Sequence, residues 1–195
     1  MEYTYERELL ASYCKKAYDR GLVSASGGNA SMQIGEIYLM TPSGYSLGEL
    51  NPTDICVLNC TLDPLCECAK PTSEKNMHKA IYDIRDDVKA ILHTHSPAAT
   101  SFAYLNREIN PVNPEGMLFI PELPIAPYRP YGSNELAVVA AQTIGAANAV
   151  LLEKHGVLAV GRDLREAYNI ADLVEETARM NIYIMQIEPN AFQKG

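Results

Sequence analysis

Ala90-Ile91-Leu92-His93-Thr94-His95 and Val150-Leu151-Leu152-Glu153-Lys154-His155-Gly156 are two apolar runs that each end on histidine. Side chains alternate between faces along an extended strand, so His93 and His95 project from the same face. His155 closes the second run immediately before a glycine. Three neutral imidazoles and one carboxylate make a donor set for Zn²⁺, which Mn²⁺ or Co²⁺ would also fit, with room left for substrate oxygens. Apolar runs of strand length that carry ligands at their ends imply a central sheet with a site at the strand ends.

The flanking sequence supplies the rest of the architecture. Thr72 or Ser73 caps a predicted helix running to about Asp86, with Met77, Ile81 and Ile84 on its inner face. Residues 88–93 read as a strand, and 97–105 as a short helix opened by Pro97. Ser133 caps a helix to about Ala146, and 148–154 and 157–160 read as strands around His155. Asp163 and Glu166 have capping-box spacing and open the longest helix, which ends before Pro189.

Near the start, Leu9, Leu10, Tyr13, Cys14 and Ala17 recur at helical spacing over 5–20, and Gly21 offers a left-handed stop. Strand candidates follow at 36–41 and 54–59, with a hairpin return after Asn59. Residues 24–31 are small and polar, and 106–132 are rich in Pro and Asn without a clear period. There is no internal repeat or linker. The expectation is one α/β domain over 1–195 built on a central sheet.

The chain has 195 residues, 47% of them hydrophobic and 21% charged, which suits one domain with a substantial core. A net charge of −8 gives nucleic-acid binding little support and requires a local pocket for any anionic substrate. The five cysteines include no C-x-x-C pair, and the odd number suits a reducing cytoplasm. Cys66-Glu67-Cys68, beside the Asp63-Pro64 turn, reads as an exposed hairpin rather than a metal clip. Neither a signal peptide nor a membrane span is expected.

Gly27-Gly28-Asn29 and Thr41-Pro42-Ser43-Gly44 combine small residues with exposed amides and hydroxyls. Backbone N–H groups approach an anion closely only where no bulky side chain intervenes. Thr72-Ser73 adds two hydroxyls and a helix N-terminus. Singly these are a turn, a bend and a cap; together they form a phosphate cradle that needs no basic residue. Glu74 follows in the first helical turn, where the macrodipole favours a carboxylate. Beside a metal it is a ligand or a general base toward a carbon acid. His78, one turn further, reads as a packing residue next to the site.

These residues carry a resemblance. The chain is similar to the class II aldolase/adducin family, and in particular to its L-fuculose-1-phosphate aldolase-like branch. The matching text is S-G-G-N-A-S (26–31), T-P-S-G (41–44), K-P-T-S-E-K-N-M-H (70–78), A-I-L-H-T-H-S (90–96), A-P-Y (126–128) and L-L-E-K-H-G-V-L-A-V-G (151–161). The resemblance implies a mixed, largely antiparallel sheet between helices. It implies that His93, His95, His155 and Glu74 hold Zn²⁺ and that Glu74 also serves as acid/base. Gly28, Asn29, Ser43, Gly44, Thr72 and Ser73 would bind the phosphate. The implied reaction cleaves a ketose 1-phosphate to dihydroxyacetone phosphate and a short aldehyde by way of a metal-bound enediolate. The implied assembly is a homotetramer with active sites at its interfaces.

Glu74 stands where the family's epimerases generally carry aspartate, which favours aldol cleavage or the related decarboxylase and dehydratase branches. Ser46-Leu47-Gly48-Glu49-Leu50 weakly resembles the decarboxylases. Adducin-like members, used as assembly modules, lack the full ligand set. Fuculose-phosphate-type aldolases protonate the aldehyde oxygen with a loop tyrosine, near whose position this chain has Pro114. Glu115, Tyr128 and Tyr131 are substitute donors. The segment after the last predicted helix, 188–195, is short beside the tails of some members.

Overall fold

The two histidine-bearing runs lie in the middle of one sheet. The computed structural model describes residues 2–67 and 69–192. Its strands are β1 (Asn29–Ile34), β2 (Ile37–Met40), β3 (Cys56–Leu58), β4 (Ala90–Thr94), β5 (Ile125–Ala126), β6 (Ala149–Leu152) and β7 (Gly156–Gly161). Among the described residues they form a seven-stranded sheet in the order β3-β2-β1-β4-β7-β6-β5. β5 and β6 pair parallel and every other neighbouring pair is antiparallel, so the sheet is mixed and largely antiparallel.

Helices α1 (Thr4–Asp19), α2 (Lys75–Tyr82), α3 (Pro97–Tyr104), α4 (Pro114–Phe119), α5 (Asn134–Ile144) and α6 (Leu164–Ile187) flank it. Ala90, Leu92, Leu151, Val157 and Ala159 share a core with residues of α1, α3 and α6. The alternate residues Ile91, Val150, Leu152, Leu158 and Val160 share a second core with residues of α2 and α5. Burial on both faces explains why these strands read as continuous apolar runs. His93 has the parity of Ile91, which turns it toward the α2 side.

The predicted caps of the two C-terminal helices are present. Ser133 Oγ accepts from Leu136 N at 3.1 Å, and Asp163 Oδ1 accepts from Glu166 N at 2.8 Å. Glu166 Oε2 accepts the return bond from Arg162 N at 2.6 Å, one residue before the expected partner.

Three expectations need correction. The helix expected from Thr72 or Ser73 to Asp86 is α2, which starts at Lys75 behind an N-cap Glu74 and stops at Tyr82. Ile84 lies beyond it and is 56% exposed. Arg85 ends the helix by donating to the carbonyls of Gly145 and Ala147 at 2.8 and 3.1 Å, which turns the chain toward β4. The small, polar stretch 24–31 contains the start of β1, hidden because Asn29, Ser31 and Gln33 are polar. Ser31 is nevertheless fully buried, with Oγ 2.7 Å from His78 Nδ1 and 2.8 Å from the Tyr82 hydroxyl. The unreadable 106–132 segment holds α4 and β5, with α4 capped by Asn113 Oδ1, which accepts from Gly116 N at 3.0 Å.

Cys14, Cys60 and Cys66 are free thiols. Cys68, and with it the Cys66-Glu67-Cys68 reading, lies outside the described residues, as do residues 193–195 of the C-terminal segment. Among the described residues no helix is long and apolar enough to cross a membrane.

Candidate metal centre and substrate cavity

β4 supplies His93, the turn after it supplies His95, and the β6–β7 turn supplies His155. Antiparallel pairing of β4 with β7 brings the three together across the sequence. His93 Nε2 lies 3.0 Å from His95 Nε2 and 3.2 Å from His155 Nε2. Glu74, at the start of α2, completes the cluster. Its Oε2 is 3.2 Å from His93 Nε2 and its Oε1 is 3.5 Å from His155 Nε2.

This donor set fits a divalent ion. Ligand atoms around a tetrahedral Zn²⁺ at about 2.0–2.1 Å stand about 3.3 Å apart, close to the four separations of 3.0, 3.2, 3.2 and 3.5 Å given above. The Val157 carbonyl, 2.9 Å from His93 Nδ1, accepts the proton on that nitrogen and leaves Nε2 as a bare lone pair facing its neighbours. Glu74 Oε1 is buried with no hydrogen-bond donor. Imidazole lone pairs and a carboxylate in buried contact repel one another unless a cation lies between them. Burial, then the neighbouring His155 and His95, hold His93 well below the usual imidazole range. Burial and His155 lower His95 in the same way, against the opposing pull of Glu74. Both rings are thus kept in the neutral form that binds metal.

Two glycines make the convergence possible. A Cβ on Gly156 would collide with the Thr94 carbonyl oxygen and come within 2.9 Å of His95 Cδ2. Gly28, with φ +76, would place a Cβ 2.8 Å from the His93 carbonyl oxygen. Side chains at either position would push the ligand strand away.

Gly28, Asn29, Ser43, Gly44, Thr72 and Ser73 all line one cavity of about 420 Å³ together with Glu74, His95 and His155. The loop after β2 is tied to the α2 approach by Thr72 N donating to Thr41 O at 3.0 Å and Ser43 N donating to Lys70 O at 2.8 Å. The Ser43 amide is therefore engaged, and its hydroxyl is what it offers the cavity. Asn29 is also engaged, since its Nδ2 donates to Glu74 Oε2 at 2.9 Å and orients that carboxylate. His78 is fully buried and stands outside the histidine cluster, in line with a packing role.

Of the three substitute proton donors, Tyr128 and Tyr131 line the cavity, whereas Glu115 lies on α4 away from it. The cavity also has two cations that the motif reading passed over, Arg129 and Lys154. Lys154 sits inside L-L-E-K-H-G-V-L-A-V-G (151–161), and Arg129 directly follows A-P-Y (126–128). The signal for Lys154 was its place directly before His155.

Residues 8–182 match the family described as Class II Aldolase and Adducin N-terminal domain. The chain is 39% identical over 172 residues to an L-fuculose phosphate aldolase of Methanococcus maripaludis, covering 88% of this chain and 93% of that protein. It is 31% identical over 181 residues to a 3-oxo-tetronate 4-phosphate decarboxylase of Haemophilus influenzae, covering 90% of this chain and 86% of the relative. A solved L-fuculose 1-phosphate aldolase superposes with a TM-score of 0.89 at 32% identity, over 93% of this chain and 87% of that one.

Proposed function

The chain belongs to the class II aldolase and adducin family, and on that premise we propose that it is a metal-dependent aldolase acting on a ketose 1-phosphate, releasing dihydroxyacetone phosphate and a short aldehyde. The observation that carries this reading is the convergence of three imidazole nitrogens and the Glu74 carboxylate at one end of a cavity that also holds the neutral cradle. An adducin-like assembly role would leave that buried cluster without a purpose.

His93, His95, His155 and Glu74 hold the ion, for which Zn²⁺ is the proposed occupant. The ion supplies Lewis acidity toward the ketone and neighbouring hydroxyl oxygens. Gly28, Ser43, Gly44, Thr72 and Ser73 seat the phosphate. Asn29 holds Oε2 of Glu74 at 2.9 Å, which leaves the unpartnered Oε1 as the atom that carries the proton. Cleavage breaks the bond between C3 and C4 as the C4 hydroxyl loses its proton to the Glu74 carboxylate, with the phenol of Tyr128 or Tyr131 placed to donate a hydrogen bond to the emerging aldehyde oxygen. The electron pair passes into an enediolate, and Glu74 protonates its carbon to give dihydroxyacetone phosphate.

Decarboxylation of a phosphorylated 3-oxo acid is the second reading, favoured by the cations Arg129 and Lys154 and by the decarboxylase relative. A homotetramer in the cytoplasm is the proposed setting. The exposed Met117, Leu118 and Phe119 of α4 form an apolar surface that suits subunit contact. Incubating metal-loaded protein with L-fuculose 1-phosphate and its shorter-chain analogues separates the readings. Chelator-sensitive release of dihydroxyacetone phosphate is expected. Release of carbon dioxide from 3-oxo-tetronate 4-phosphate, with no ketose cleaved, would overturn the aldolase reading.

A further inference from the structure

The sheet order separates two kinds of surface within the cavity. The neutral cradle comes from the ends of β1 and β2 and from the approach to α2, on one side of β4. Lys154 sits in the β6–β7 turn, and Tyr128 and Arg129 follow β5, on the other side. His93 and His95, on β4 and just after it, lie between the two groups, and His155 adjoins Lys154 in the β6–β7 turn.

The cationic side is tied together. Glu153 Oε2 accepts from Tyr128 N at 3.0 Å, which fastens the segment after β5 to the turn that carries His155. Glu153 Oε1 is 3.4 Å from Lys154 Nζ, and Lys154 lies 5.7 Å from the Tyr128 ring centroid. Lys154 has φ +57, a left-handed conformation that costs energy in a residue with a Cβ. Arg129 donates through Nη1 to Tyr128 O at 2.7 Å, and no carboxylate lies within ion-pair distance of it among the described residues. Further along the segment, a Cβ on Gly132 would come within 3.2 Å of the Ser73 carbonyl oxygen, so the chain there runs close to the approach to α2.

A protein with net charge −8 thus keeps two cations in a cavity whose phosphate cradle is uncharged. We propose that Arg129 and Lys154 recognise a second anionic group on the substrate, a carboxylate at the end remote from its phosphate. Glu153 offsets one of the two positive charges, and the remainder matches a monoanion better than a second phosphate. The planar guanidinium suits bidentate carboxylate binding. The inference rests on the reading that this cavity takes a phosphorylated sugar, and it makes the substrate class a sugar-acid phosphate.

The test compares two ligands that share chain length and phosphate. Calorimetry of the metal-loaded protein with 4-phospho-D-erythronate and with D-erythritol 4-phosphate isolates the terminal carboxylate. The acid is expected to bind about tenfold or more tighter. That preference should shrink to about threefold or less in Arg129→Gln and in Lys154→Met, both at exposed side chains. Equal binding by the wild-type protein would overturn the inference while leaving the phosphate site intact. A preference unchanged in both variants would also overturn it, by sending the carboxylate to the metal centre. Binding of neither ligand would remove the sugar-phosphate reading and this inference together.

Discussion

Asn29 holds the Glu74 carboxylate, and His78 is buried one helical turn further on. Asn29 Nδ2 is the donor seen on Glu74 Oε2, at 2.9 Å. Asn29→Ala should lower kcat by about 10–100-fold, with a smaller change in KM, because the carboxylate loses its orientation. Steady-state kinetics checks this, and a change confined to KM would return Asn29 to the phosphate. His78 is lowered by burial from 6.5 to about 4, against the opposing charge of Glu74. Between those values the unfolded chain binds a proton that the folded chain refuses. Stability is therefore complete above about pH 6.5 and is lost as pH falls toward 4, by about 3 kcal/mol for this ring. In chelated protein, the urea midpoints of wild type and His78→Gln should converge as pH falls through that window. At this scale the clustering of the histidines was legible, because alternation in a strand puts His93 and His95 on one face. The bond from Asn29 to Glu74 was not, since it joins residues 45 positions apart whose strand and helix meet only in the folded sheet.

At the scale of elements, α6 braces the turn that carries His95. Glu175, fully buried on α6, accepts from Ala98 N and Ala99 N at 3.2 and 3.0 Å and from Arg179 Nε at 2.9 Å. It thereby serves the free amides at the start of α3. Glu175→Ala should cost about 3 kcal/mol by stranding those donors and the guanidinium, as urea unfolding would register. A loss within about 0.5 kcal/mol, the range of ordinary surface changes, would remove the brace from the account. Ser133, Asp163 and Pro97 announced their helices correctly, because capping is local chemistry. β1 went unread because its buried Ser31 is satisfied by His78 and Tyr82, partners no local pattern reveals. α2 ends early because Arg85 is drawn to carbonyls after α5, a tertiary preference over helix propensity.

For the whole molecule, the site is where distant parts of the chain repel one another until an ion joins them. Metal at about 100 times its Kd should therefore stabilise the fold by about 2.7 kcal/mol, raising Tm by roughly 5–10 °C. Chelation should reverse the rise, and His155→Ala should abolish most of it, as scanning fluorimetry would record. The α/β class followed from the apolar runs, but the strand order did not, because pairing depends on which faces the helices cover. That order sets the proposed cradle and the two cations on opposite sides of β4.

The central claim is that Glu74 moves a proton at carbon beside a metal and a seated phosphate. Deuterium incorporation from D₂O into dihydroxyacetone phosphate, followed by NMR with metal-loaded protein and no aldehyde, tests it most directly. Stereospecific exchange is expected, lost on chelation and reduced by at least about 100-fold in Glu74→Gln. Absence of exchange from protein holding stoichiometric metal, or undiminished exchange in Glu74→Gln, would contradict it.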